Sequence, residues 1–201
     1  MADKPNLGRR LFAGFAFAAG MAAYHGHRLF GAPAQAKGRS GMSAWDIEFT
    51  SIDGEKMPLA GFRGKALLVV NTASFCGFTG QYRDLEKVWD DYKDRGLVVI
   101  GVPSNDFGGQ EPGSAAQIKA FCESYDVSFP LSEKSETRGA RRHAFYAWVA
   151  AELGEGAVPR WNFFKYLVGR DGALAGHWPS SANPTGREIR AAIEKALAAR
   201  V

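Results

Sequence analysis

A chain of 201 residues, 46% of them hydrophobic, can build one domain with a real core and is too short for two comfortable ones. Most of its formal charge of +4 lies at one end: residues 1–36 hold four bases (Lys4, Arg9, Arg10, Arg28) against one acid, Asp3. The remainder is close to neutral, which gives no basic surface for a nucleic-acid partner, and there is no internal repeat or low-complexity tract.

Residues 1–36 read as a targeting segment outside the fold. Arg9-Arg10 precede the apolar stretch Leu11–Tyr24, and Ala34-Gln35-Ala36 follows as an A-x-A cleavage pattern. A helix over that stretch would be roughly 21 Å long at a rise of about 1.5 Å per residue. That is short of the hydrocarbon core, about 30 Å thick, so a spanning helix is disfavoured. The arginine pair resembles a twin-arginine export signal, which implies an exported, periplasmic protein of bacterial type whose domain occupies residues 43–201. The polar stretch His25-Gly26-His27-Arg28 keeps an uncleaved anchor at the membrane surface open as the alternative.

From Trp45 onward the pattern is that of a folded domain. Trp45–Thr50 alternates like a half-buried strand, and Ser51-Ile52-Asp53-Gly54 supplies a hairpin turn. Two apolar runs, Ala66–Asn71 and Leu97–Val102, flank a segment in which Tyr82, Leu85, Val88, Trp89 and Tyr92 recur at helical spacing. Strand, helix and strand make a βαβ unit with parallel strands and a right-handed crossover. A second helix is expected over Ser114–Tyr125, opened by a capping box between Ser114 and Gln117. Arg142–Leu153 reads as a third helix. Phe163–Val168 and Leu174–Trp178 read as a hairpin around Gly169–Gly172, and Arg187–Ala199 as a closing amphipathic helix. This order predicts an α/β domain of thioredoxin-like fold, a central mixed sheet with helices on both faces.

Cys76 stands where the first apolar run gives way to Gly77-Phe78-Thr79-Gly80 and the helical pattern. Backbone N–H groups and a helix N-terminus at such a junction favour an anion and raise a thiol's thiolate fraction. On position alone, a buried structural cysteine remains the alternative reading.

Three separated segments resolve that ambiguity. Asn71–Thr79 around Cys76, Pro103–Gly113 around Gln110, and Trp161-Asn162-Phe163-Phe164-Lys165-Tyr166-Leu167-Val168 together resemble the glutathione peroxidase family, in matching order and spacing. The resemblance runs from about Trp45 to the last helix. It implies a peroxidase that needs no cofactor or metal, with Cys76 as peroxidatic nucleophile and Gln110, Trp161 and Asn162 around it. An indole N–H and two carboxamides donate hydrogen bonds without acting as bases, which suits a thiolate and a developing oxyanion. The chain departs from many relatives at Asp106, where they carry Gln; a carboxylate close to Cys76 would oppose thiolate formation.

The only other cysteine, Cys122, falls in a segment resembling the one that carries the resolving cysteine of thioredoxin-dependent members. The implied cycle runs through a Cys76 sulfenic acid and a Cys76–Cys122 disulfide, reduced by a thioredoxin-like dithiol in preference to glutathione. A buried helix-face thiol and a purely structural disulfide are the plainer readings of Cys122. Cα atoms must come within about 7 Å for a bond, so the second helix is expected to unwind if the two start far apart. A peroxide sensor that relays oxidation to a partner protein uses the same chemistry and is the alternative function. The compact stretch from Gly139 to Trp161 resembles that of monomeric relatives and would leave the site open to hydroperoxides as bulky as lipid ones. Arg138, Arg141, Arg142 and Arg160 read as a solvated face, or as a rim for anionic substrate or a membrane surface.

Overall fold

The computed structural model describes residues 41–200; the export signal expected in residues 1–36 lies outside the described residues. The elements run β1 (Glu48–Thr50), β2 (Lys56–Pro58), β3 (Ala66–Thr72), α1 (Gln81–Tyr92), β4 (Leu97–Pro103), α2 (Ala115–Glu123), α3 (Ala144–Leu153), β5 (Lys165–Val168), β6 (Leu174–Trp178) and α4 (Arg187–Ala198). β1 and β2 form a separate antiparallel hairpin, while the central sheet has the order β4-β3-β5-β6. β3 and β4 pair in parallel from Ala66↔Leu97 to Thr72↔Pro103, and β5 and β6 add antiparallel strands on the other side of β3. This is the mixed, thioredoxin-like sheet expected from the chain.

The pleat sorts the strand residues between two cores, because successive side chains point to opposite faces. Leu67, Val69, Val98, Ile100, Val102, Tyr166 and Val168 enter one core with α3 and the β1–β2 hairpin. Ala66, Leu68, Val70, Leu97, Val99 and Leu167 enter the other, under α1, α2 and α4. With both faces covered, β3 and β4 are buried at every position, which is why they read as continuous apolar runs. α1 buries Tyr82, Leu85, Val88 and Tyr92, the helical spacing seen in the sequence; each large apolar side chain contributes roughly 1.5–3 kcal/mol.

Three expectations shift at their edges; the second helix spans Ala115–Glu123 and ends two residues before Tyr125. Trp45 lies in a 3-10 turn (Ala44–Asp46), and the strand starts only at Glu48. The cause is the β5–β6 turn: Gly172 has φ +82°, and a Cβ there would meet the Trp45 indole at 2.4 Å, so the ring is packed on bare backbone. The third helix begins at Ala144, two residues later than Arg142, because the His143 ring accepts from the Phe145 N–H and caps it.

The topology gathers several chain segments at one edge. β3 and β4 end there, whereas β5 runs the opposite way and begins there, with β6 ending beside it. The loops carrying Cys76, Gln110 and Trp161-Asn162 therefore meet at the carboxyl edge of the parallel pair, where α/β sites are built.

Candidate active site

Cys76 does not occupy the first turn of a helix. β3 ends at Thr72, α1 begins at Gln81, and the cysteine lies on a tight turn between them. Thr79 holds that turn: its Oγ1 accepts from the Cys76 N–H at 3.0 Å and donates to the Ala73 carbonyl at 3.0 Å. The Cys76 carbonyl in turn accepts from the Thr79 N–H at 3.0 Å. The sulfur is partly exposed and accepts from the Phe78 N–H at 3.5 Å. Of the two features expected to favour an anion at this junction, the backbone donor is at the sulfur, while the helix starts five residues later.

Gln110 joins the neighbouring loops. Gly108 and Gly109 precede it with φ of +67° and +64°, a left-handed pair that other residues enter only with strain. The turn they make lets the Gln110 carbonyl accept from the Phe75 N–H at 3.0 Å, tying this loop to the residue before Cys76. The Gln110 Oε1 accepts from Asn162 Nδ2 at 2.9 Å. That pairing turns the Gln110 Nε2 hydrogens away from Asn162 and leaves them to donate elsewhere. Asn162 is fully buried and its Oδ1 has no hydrogen-bond partner. Trp161 stays 39% exposed, its ring 6.0 Å from that of Phe107 in the Gln110 loop.

The structure thus brings three of the four implied residues, Gln110, Trp161 and Asn162, into one network tied to the Cys76 turn. Asp106 is oriented elsewhere: its Oδ2 accepts from the Thr137 N–H at 2.6 Å and the Thr137 hydroxyl at 2.9 Å. The arginines are largely engaged too, Arg138 with the Asp106 carbonyl and over the Phe107 ring, Arg141 with Glu136, and Arg142 with Glu155.

Cys122 is a different kind of thiol. It is buried on α2 and unbonded to Cys76, and burial pushes it up to about 11, with the Tyr82 hydroxyl offsetting part of that rise. A cavity of about 370 Å³ lies beside the Cys76 turn and α2, lined by Ser74, Phe75, Glu111, Gln117, Ile118 and Phe121, with the Phe75 and Phe121 rings 6.2 Å apart. Glu111 is buried there and raised by desolvation, with Ser74 offsetting part of the rise. Ser114 and Gln117 make the capping box reciprocally, at 2.9 and 3.3 Å.

Residues that the sequence did not single out hold the site together. Asn71, at the end of β3, donates through Nδ2 to the Trp161 carbonyl at 3.0 Å, and its Oδ1 accepts from the Phe164 N–H at 2.9 Å. Its backbone carbonyl also accepts from the Phe163 N–H. Ser180 Oγ donates to the Asn162 carbonyl at 2.5 Å. A polar Asn closing an apolar strand was the available signal for Asn71; Ser180 gave none.

The glutathione peroxidase family model matches residues 44–150. A hydroperoxy fatty acid reductase, gpx1 of Synechocystis sp., is 44% identical over 156 residues, covering 73% of this chain and 91% of the relative. The chain belongs to the glutathione peroxidase family. It is a peroxidase by that membership, of the thiol type that reduces hydroperoxides. The glutathione peroxidase-like peroxiredoxin GPX5 of Chlamydomonas reinhardtii is 39% identical, covering 76% of this chain and 95% of its own. Among solved structures, Trgpx in apo form superposes with a TM-score of 0.63 at 34% identity, over 78% of this chain and 95% of that one. Among the described residues no cluster of three or more His, Cys, Asp or Glu is placed to hold a metal, and no helix is long and apolar enough to cross a membrane.

Proposed function

We propose that Cys76 is the peroxidatic nucleophile and Cys122 the resolving thiol of a dithiol-dependent hydroperoxide reductase. The Cys76 thiolate attacks one peroxide oxygen and forms an S–O bond as the O–O bond breaks. The departing oxygen takes a proton and leaves as water or an alcohol, and Cys76 is left as a sulfenic acid. Gln110, Asn162 and Trp161 supply N–H donors to the thiolate and to the developing oxyanion. Cys122 then attacks the sulfenic sulfur, the hydroxyl leaves with the thiol proton as water, and a disulfide forms. An external dithiol reduces that disulfide by exchange and becomes oxidised itself.

The observation that carries this reading is the position of Gln110, bonded through its carbonyl to the residue before Cys76 and through its side chain to Asn162. The name of the Chlamydomonas relative, a glutathione peroxidase-like peroxiredoxin, supports a dithiol reductant; that of the Synechocystis relative supports hydroperoxy fatty acids among the substrates. Arg9-Arg10, the apolar stretch after them and Ala34-Gln35-Ala36 support export, with the reductant supplied outside the cytoplasm. A turnover assay on the full chain, with hydrogen peroxide and a fatty-acid hydroperoxide, tests this by comparing thioredoxin with glutathione. Faster turnover with thioredoxin is expected, with complete loss in Cys76→Ser. Undiminished turnover in Cys122→Ser under thioredoxin would remove the resolving role.

A further inference from the structure

Lys165 is an anomaly that the peroxidase chemistry leaves unused. It is the first residue of β5, paired with Val70 on one side and Trp178 on the other, and it is fully buried. Among the described residues its Nζ donates to no carboxylate. Three main-chain carbonyls surround it: Phe163 at 2.8 Å, Ser180 at 3.3 Å and Pro179 at 3.5 Å. An ammonium has three hydrogens and no acceptor, so the cage matches its donor count.

Those carbonyls belong to the turns that support the site. Phe163 follows Asn162 and has φ +64°, a left-handed conformation unfavourable for a bulky side chain. Such strain persists only when both sides of the residue are held. Asn71 holds the Phe163 N–H, and Lys165 holds its carbonyl. Ser180 is bound from three directions: its hydroxyl donates to the Asn162 carbonyl, while its own carbonyl accepts from Lys165 and, at 2.7 Å, from Gln81 Nε2 at the start of α1.

We propose that Lys165 is a positioning residue of the peroxidase site, its ammonium clamping the Trp161–Phe163 and Pro179–Ser180 turns together so that Asn162 is held on Gln110. This rests on the reading of Gln110 and Asn162 as the donors that serve Cys76. Burial lowers Lys165 to about 7, with Asp84 on α1 the one charge that lifts it. The neighbouring groups on the other elements are otherwise committed: His177 on β6 stacks on Tyr166, and Glu188 on α4 accepts from the Trp178 indole. The clamp is therefore largely charged at pH 6 and weakens as pH rises through about 7.

The test compares the full chain with Lys165→Met, an unbranched side chain without a donor, in stopped-flow oxidation of Cys76 by hydrogen peroxide across pH 6–9. The ratio of the two rate constants cancels every pH dependence they share. It should be about tenfold at pH 6 and fall at least threefold by pH 9. A ratio that stays constant with pH would reduce Lys165 to a structural part and overturn the proposal, as would a wild-type rate in Lys165→Met at pH 6. A second measurement needs no variant: in the wild-type protein, the Asn162 side-chain amide resonance should move with the same midpoint as the Lys165 Nζ, near 7. An Asn162 amide that is indifferent to pH across that range would also overturn it. Asn162→Ala separates the two levels of the argument. If that variant keeps the wild-type rate, the donor reading itself fails; if it is slow while the Lys165→Met ratio is flat, only the clamp fails.

Discussion

In the reduced, folded enzyme, Cys122 should be almost inert, and the size of the effect follows from its burial. Thiolate is the reactive form, and desolvation lifts this thiol from an ordinary 9.0 to about 11. At pH 8 the ionised fraction then falls from about a tenth to about a thousandth, roughly a hundredfold loss of reactivity before access is considered. The perturbation is Cys76→Ser, which leaves Cys122 as the only thiol. The assay is timed alkylation by iodoacetamide at pH 8, read by mass spectrometry of the Cys122 peptide, folded and in strong denaturant. Alkylation in the fold should be slower by at least that hundredfold. The same displacement has a stability counterpart. A folded value above the unfolded one gives stability that is fully present below about pH 9 and is lost as pH rises through about 11. Alkylation of the folded protein within threefold of the unfolded chain would refute the reasoning, since Cys122 would then be neither desolvated nor shielded by α2. If the prediction holds, Cys122 is shielded from reagents in solution, and opening of α2 becomes a candidate for the slow step of resolution.

Removing either carboxamide should slow the peroxide step without unfolding the protein. Gln110→Ala and Asn162→Ala should each lower the second-order rate of Cys76 oxidation by about 10²–10³, the usual loss for one oxyanion donor, as measured by stopped-flow fluorescence. Thr79→Ala removes an acceptor for the Cys76 N–H and a donor to Ala73 in a buried turn. It should lower unfolding free energy by about 1–3 kcal/mol in urea titrations, with Thr79→Ser recovering most of it. Lys165→Met should change the pH dependence of stability. The lysine's folded value near 7 lies below its unfolded 10.5, so between those limits the unfolded chain binds more protons and wild-type stability rises with pH. Relative to Lys165→Met, that rise should be on the order of 1 kcal/mol per pH unit; a parallel pair of curves would contradict the burial of the charge.

The strands and helices were legible because the fold buries both faces of the sheet. Ala66–Thr72 and Leu97–Pro103 could only be apolar, and α1 announced itself by its spacing. The four candidate site residues rest on three motifs in order, a signal carried by residue identity more than by periodicity. Their mutual geometry was not legible, because it depends on an antiparallel β5 that places its first residue, rather than its last, at the edge where β3 ends. Trp45 went astray for a related reason: the Gly172 turn that captures its indole lies far along the chain. The Cys76 turn was legible as a junction between strand and helix, but not the Thr three residues on that holds it locally before the helix begins. Lys165 lies within the third motif but reads there as an ordinary strand residue, since a lone base in an apolar run gives no hint of three carbonyls contributed by two turns.

The energetics of Lys165 argue against a purely structural role. A buried ammonium without a counter-ion is desolvated, and its depressed value means that the fold would be more stable at neutral pH if the group carried no charge. A methionine or leucine of similar volume could fill the same space between β3 and β6 without that penalty. What an apolar side chain cannot do is satisfy the carbonyl of a residue held at φ +64°, beside a buried Asn whose amide must meet Gln110. Stability lost to the charge is balanced by precision in the turn, as expected where a strained segment positions reacting groups. An apolar residue would be spared the cost of the charge and would bear that of the unsatisfied carbonyl, whereas the geometry of Asn162 favours the lysine. Rate separates the two roles where melting does not: Lys165→Met sheds the buried charge but leaves the Phe163 carbonyl without its donor, and it should reduce peroxide more slowly at pH 6.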